Sequence, residues 1–273
     1  MPYPNIHYVS ILAWNKSDPN SIEMRIEWLR PLLDAKLPLT LFIDDTYTMA
    51  LKSAAWYSDA IHPGVRCIPW QLIDSEVWRM CLQYSPMEPL KLPDIRNVVK
   101  DSEFFLLLMN MKTELVARVA AEVHQPYVAF LDAGISKIFK DVEGSFSRLR
   151  NLEIRKDMSG VLVPGCWEPK KMGVDVLSRK ICWIYCGGFF LVSRKDAAGF
   201  AEYAKAALKE FLEIGRLTWE VNVWVRLQEY SECPKLHWFP ADHNDSMISI
   251  PDAWQVLESN PPGISIDLPI LLG

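Results

Sequence analysis

The chain has 273 residues, half of them apolar and 23% charged, which suits one sizeable globular core. Its formal net charge is −5 and its pI about 5.6, and no run of Lys and Arg forms a basic stripe. Duplex nucleic acid is therefore excluded as an expected partner, because phosphate binding needs concentrated positive charge.

Short β-branched or aromatic runs alternate with segments of helical period along most of the chain. That alternation predicts an α/β fold: a mixed, mostly parallel sheet flanked by helices, Rossmann-like in layout. His7 to Ala13 reads as the first strand. Asn20 with Glu23 makes a capping box, and Ile22, Ile26, Leu29 and Leu33 form the buried stripe of a helix ending near Pro38. Leu39 to Ile43 is the next strand, stopped by Asp44 and Asp45, followed by a helix through Trp56 and a strand at Val65 to Ile68. SPMEPLKLPD, residues 85–94, reads as an exposed loop.

A single long helix is expected from Asp101 to Val123, with Phe104, Leu108, Met111, Leu115 and Val119 on one face. It runs into YVAFLDAG, residues 127–134, a strand ending in Asp132. Further strands are expected at Val161 to Val163, over ICWIYCGGFFLV, residues 181–192, and at His237 to Phe239. Between the last two, Ser193 and Asp196 form a second capping box for a helix to about Ile214, and Thr218 caps a helix reaching Tyr230. The chain is expected to form a single domain, with residues 241–273 a C-terminal tail that packs back on or near the site formed by the strand ends.

The six cysteines form no C-x-x-C pair and read as buried thiols. MPYPNIHYVSILAWNK lacks the pattern of a signal peptide. The apolar runs FFLLLMNM and ICWIYCGGFFLV fall short of the roughly 20 residues that span a bilayer, so a cytoplasmic protein is expected.

Several positions look wrong for a core. In open α/β sheets ligands bind beyond the carboxyl ends of strands, where Asp44, Asp45 and Asp132 lie. Ordinary turn capping accounts for the same aspartates, and the sequence leaves both roles open. Lys112 sits close to the buried stripe of its helix, where a lysine either snorkels or meets an anion such as a diphosphate. Gly187 and Gly188 interrupt an apolar run, as a bulge or as a surface for a closely approaching ligand. Glu220 opens an apolar helix, either as a favourable first-turn carboxylate or as a general base, with Trp219 and Asn222 as substrate-contacting neighbours. His243 is a solvated loop histidine or, with Asp132, a metal ligand. Of the eleven tryptophans, Trp14, Trp28, Trp56, Trp183 and Trp224 lie in apolar patterns and read as core.

Taken in order, EFFLLLMNMKTELV (103–116), FLDAGI (130–135), CGGFF (186–190) and TWEVNVW (218–224) resemble GT-A fold nucleotide-sugar glycosyltransferases, and more narrowly are similar to the HtrL/YibB-like proteins. The resemblance extends over about residues 6–243. It implies an inverting transferase that moves a sugar from a nucleotide-diphosphate sugar, UDP-sugar favoured, to an oligosaccharide or glycoprotein hydroxyl. It also implies that Asp132, Ala133 and Gly134 stand at the Asp-x-Asp motif, that Asp44 or Asp45 meets the base or ribose, that Gly187 and Gly188 lie beneath the donor sugar, and that Glu220 is the base. The last aspartate of the motif is Gly134 here. Two arrangements follow: a divalent cation, Mn2+ or Mg2+, held by Asp132 and His243, or no metal, with Lys112 supplying the charge. The 84–97 loop and the tail are the candidate acceptor contacts. A nucleotidyltransferase and a catalytically inactive binding scaffold of the same fold are the alternatives; the sequence lacks the glycine- and arginine-rich triphosphate loop that the first requires.

Overall fold

The computed structural model describes residues 5–13, 20–85 and 88–256. Among them the chain runs β1 (Ile6–Leu12), α1 (Ile22–Asp34), β2 (Leu39–Ile43), α2 (Asp45–Ser53), β3 (Val65–Pro69), α3 (Glu76–Tyr84), α4 (Glu103–Asn110) and α5 (Lys112–Glu122). It continues through β4 (Tyr127–Leu131), α6 (Val142–Asn151), β5 (Val161–Gly165), α7 (Val174–Leu177), β6 (Phe189–Ser193), α8 (Ala197–Glu213), α9 (Glu220–Arg226) and β7 (Leu236–Pro240).

The strands form one sheet in the order β3-β2-β1-β4-β6-β5-β7. All neighbours pair in parallel except β6, which is antiparallel to both β4 and β5. This is the mixed, mostly parallel arrangement that the alternating pattern predicts. Every residue of β2, β4, β5 and β6 is buried, because helices cover both faces and a strand so covered reads as a continuous apolar run. Alternate side chains serve different cores. Val9, Phe42, Val128, Phe130 and Phe190 pack with α3, α4, α5, α8 and α9. Tyr8, Leu41, Ala129, Leu131 and Leu191 pack with α1, α2 and α6.

The chain proceeds outward from β1 to β2 and β3, and β4 returns to the other side of β1. The sheet therefore changes winding direction between β1 and β4, the place where open α/β sheets leave a crevice beyond the strand ends. Because β6 runs antiparallel, its first residue meets the last of β4: Phe189 pairs with Leu131. The residues just ahead of β6 thus share an edge with the carboxyl ends of its neighbours.

Several local expectations differ from the structure. The helix from Asp101 to Val123 is two helices meeting at Met111. Buried Asn110 donates its side-chain amide to Leu106 O and Thr218 O, both at 2.8 Å, competing for a helix carbonyl at the break. The strand over 181–192 begins only at Phe189, since Trp183 takes a left-handed φ of 53° and the preceding segment folds over the end of β5, with Cys186 N donating to Pro164 O. Ser21, not Asn20, caps α1 by accepting from Met24 N. Asp196 accepts from Ser193 Oγ and Gly160 N and makes no capping bond to α8. Thr218 donates to Leu177 O at 2.7 Å instead of capping α9, which starts at Glu220; the helix runs to Arg226 and continues as a 3-10 turn over Leu227–Glu229, up to Tyr230 as expected.

The stretch 85–94 is anchored where it is described: Leu90 is buried, and Lys91 exchanges backbone bonds with Gly215 and Leu217. Of the tryptophans read as core, Trp224 is buried, Trp28 and Trp56 are partly buried, Trp183 is 38% exposed, and Trp14 lies outside the described residues. In the C-terminal segment, Met247, Ile248 and Ile250 are buried, and the Asp245 carboxylate accepts from Lys140 N and Ser145 Oγ at 2.9 and 2.6 Å. Residues 257–273 of the expected tail lie outside the described residues. Among the described residues no helix is long and apolar enough to cross a membrane.

Candidate functional site

The break at Met111 makes Lys112 the first residue of α5, with its side chain 1% exposed. An ammonium has three hydrogens to donate, and three acceptors surround this one: Gly187 O at 2.8 Å, Glu220 Oε1 at 2.9 Å and Asp132 Oδ1 at 3.1 Å. The Phe130 ring lies beside it, its centroid 4.9 Å from Nζ, adding a cation–π contact. Burial pulls the Lys112 pKa down, but the opposing charges of Asp132 and Glu220 outweigh it and hold the group above the ordinary lysine value. The centre is thus one buried cation between two carboxylates.

The two glycines make this arrangement possible. A Cβ on Gly187 would lie 2.1 Å from Glu220 Oε1, and one on Gly188 would lie 2.8 Å from Met247 Sδ and 3.4 Å from Asp132 Oδ2. Both have ordinary backbone angles, so the requirement is for space and not for a left-handed φ. Gly188 O also accepts from Asp132 N at 2.9 Å, locking the end of β4 to the turn ahead of β6.

Glu220 is 5% exposed, whereas the Asp132 side chain is 40% exposed. Asp132 is therefore the member of the group that a ligand can reach. Lys112 is enclosed with its donors engaged, so the structure does not present its ammonium to a diphosphate. Asp44 lies at the carboxyl end of β2, where it accepts from Tyr47 N at 2.9 Å and caps α2, and exposed Asp45 occupies the first turn. Ala133 is buried, and Gly134 precedes the turn Ile135–Ile138.

Trp219 and Asn222 do not lie where an acceptor could meet them. Both are buried, and Asn222 donates its two amide hydrogens to Leu177 O and Lys180 O, at 2.7 and 2.8 Å, while accepting from Cys182 N. Its amide fastens the 177–182 segment onto α9. An inward-facing polar residue on a helix that is apolar all round is hydrogen-bonded to its own protein as a rule, and the sequence alone did not give its direction.

The donor set at Asp132 does not fit Mn2+ or Mg2+. These ions take several oxygen ligands, but position 134 has no carboxylate and the Lys112 ammonium, 3.1 Å from Asp132 Oδ1, already neutralises the carboxylate. Among the described residues no cluster of three or more ligand groups contains Asp132. The grouping that contains His243 consists of Cys166, Cys186 and His243, with ligand atoms within 4.8 Å of one another. Cys166 and His243 line an open cavity of about 530 Å3 together with Trp167, Trp183, Ala241 and Asp242, and Cys186 is buried behind them. Cysteine spacing does not reveal this cluster, because its members come from three separate segments.

No protein-family model matches the chain, and no curated protein matches it. The HtrL/YibB resemblance therefore rests on the quoted motifs alone. Among solved structures the chain is similar to the bifunctional IspDF from Campylobacter jejuni, at 9% identity and a TM-score of 0.39, covering 87% of this chain and 50% of that one. The chain thus spans about half the length of that structure. A likeness at this level carries nothing about chemistry.

Proposed function

We propose that the protein is a glycosyltransferase that moves a sugar from a nucleotide-diphosphate sugar, UDP-sugar favoured, to a hydroxyl of a glycan acceptor, with no metal ion at Asp132. The observation that carries this reading is the half-exposed Asp132 carboxylate at the end of β4, beside the β1/β4 change of winding, held from behind by the buried Lys112 ammonium. A carboxylate fixed in that crevice suits a sugar or ribose hydroxyl as hydrogen-bond donor.

In this reading Asp132, and not Glu220, is the group that meets the reacting hydroxyl. As the acceptor oxygen bonds to the anomeric carbon and the bond from that carbon to the diphosphate breaks, the hydroxyl proton passes to Asp132. Glu220 positions Lys112, and Lys112 positions Asp132. Asp44 and Asp45, at the carboxyl end of β2 on the same edge, remain the candidates for base or ribose contact.

A binding protein of the same fold without transfer activity is the second reading, favoured by the enclosure of Glu220 and the missing carboxylate at position 134. One experiment separates them: melting curves with UDP-, GDP-, CMP- and dTDP-sugars, with and without manganese, alongside slow nucleotide release in the absence of acceptor. Transferase function predicts a higher Tm with a UDP-sugar that is independent of manganese, and nucleotide release that Asp132→Asn abolishes. Stabilisation without release supports the binding protein. No stabilisation by any nucleotide sugar would remove the transferase and leave the binding protein, with glycans as the ligands to test.

A further inference from the structure

Cys166 directly follows β5, Cys186 lies in the turn ahead of β6, and His243 lies just beyond β7. The strand order puts β6, β5 and β7 side by side, with β5 and β7 parallel and β6 running the other way. All three residues therefore arrive at the same end of the sheet, although 20 and then 57 positions separate them in sequence.

Their atoms already stand at ligand-to-ligand spacing. Cys166 Sγ is 3.6 Å from Cys186 Sγ and 3.9 Å from His243 Nδ1. Asp242 Oδ1 is 3.8 Å from Cys166 Sγ and 3.4 Å from His243 Nδ1. A tetrahedral zinc with bonds of about 2.0–2.3 Å keeps its ligand atoms roughly 3.3–3.8 Å apart; the Cys166, Cys186 and His243 atoms all lie within 4.8 Å of one another, and the exposed Asp242 carboxylate would turn toward Cys186 to complete the shell. The His243 ring is set by an edge-on contact with Trp183, centroids 4.4 Å apart.

We propose that Cys166, Cys186 and His243 bind a zinc ion, with the Asp242 carboxylate as the fourth ligand. Two thiolates and an imidazole are soft to borderline donors, which select zinc over the magnesium and manganese that oxygen ligands favour. A disulfide between the two cysteines would explain their proximity to each other, but not the imidazole and carboxylate beside them.

The site is independent of the function proposed above, yet it bears on the same turn. Cys186 immediately precedes Gly187, whose carbonyl accepts from Lys112, and Gly188, whose carbonyl accepts from Asp132 N. The ion would pin that turn to the ends of β5 and β7, so its binding energy would also hold the end of β4 in register.

The test uses the full chain purified under reducing conditions, with zinc measured by elemental mass spectrometry and cobalt(II) loaded after chelation as a spectroscopic probe. The expected result is one zinc per chain, a lower Tm after chelation that zinc restores, and sulfur-to-cobalt charge-transfer absorption. Cys166→Ser and Cys186→Ser should weaken that absorption and lose stoichiometric zinc, His243→Ala should lose zinc while keeping thiolate absorption with cobalt, and Cys233→Ser should behave as wild type. Cys186 is buried and its variant puts folding at risk, so partly exposed Cys166 and exposed His243 carry the decision. Substoichiometric zinc after zinc is supplied, a cobalt spectrum without thiolate absorption, or Cys166→Ser binding like wild type would each overturn the proposal. So would a Cys166–Cys186 disulfide forming in zinc-saturated protein.

Discussion

Replacing Lys112 by methionine keeps the length of the side chain and removes its charge. Glu220, 5% exposed, then keeps a negative charge with no cation beside it, and Gly187 O loses a donor at 2.8 Å. Breaking a buried ion pair from one side costs about 3–5 kcal/mol, because the remaining charge stays desolvated. Asp132, with its side chain 40% exposed, can turn to water and adds less. For a chain of this size that loss lowers Tm by roughly 6–20 °C at about 2–4 °C per kcal/mol. Adding Glu220→Gln removes the stranded charge, so the double variant should recover part of the loss, with a coupling of about 0.5–3 kcal/mol. Thermal and urea unfolding of the four proteins followed by circular dichroism completes the cycle. A Lys112→Met protein that melts with the wild type, or a double variant worse than the sum of the singles, would refute the ion-pair argument. The pH dependence has a definite sign. The folded Lys112 pKa is raised above 10.5, so its contribution is full below 10.5 and is lost as pH rises through the higher folded value. The gap between wild type and Lys112→Met should therefore stay constant around neutrality and close only under alkaline conditions.

Gly187→Ala should destabilise strongly, by about 3 kcal/mol or more, since its methyl would meet Glu220 Oε1 at 2.1 Å. Gly134→Ala, whose methyl meets only the flexible end of Lys137, should stay within about 1 kcal/mol of wild type in the same urea titration; equal losses would show that space at 187 is not what matters. Asn222→Ala should cost about 3 kcal/mol by leaving Lys180 O without its donor and Cys182 N without its acceptor, while Leu177 O keeps Thr218 Oγ1, and an unchanged urea midpoint would count against that anchoring role. His7 is held down to about 4, by burial first and then by Arg66. The unfolded chain binds its proton near 6.5 and the folded chain only near 4, so stability should fall as pH drops through that window. His7→Gln should flatten that decline in urea midpoints, and an unaltered slope would remove His7 from the acid response.

The residues around Lys112 were legible one at a time because each breaks a local rule. Lys112 borders an apolar stripe, Asp132 ends an apolar strand, Gly187 and Gly188 interrupt an apolar run, and Glu220 opens an apolar helix. None of these irregularities names its partner. Lys112 and Glu220 are 108 positions apart, and only α5 and α9 packing against one face of the sheet joins them. Asn222 and Trp219 were misplaced because a helix apolar all round has no outward stripe to show which polar residue faces a ligand.

By itself, the sequence determined the α/β class, the strand cores and the two-sided burial, because apolar periodicity records which faces meet other elements. Leu39–Ile43 and Tyr127–Leu131 fall where the apolar runs place them. Tertiary structure decided where the helix breaks at Met111, why position 187 is glycine, and that Cys166, Cys186 and His243 meet at one sheet end. Those outcomes depend on contacts between elements distant in the chain. A local pattern reports that a side chain is buried, whereas its charge partner, its available space and its co-ligands are supplied by other segments once the sheet has assembled.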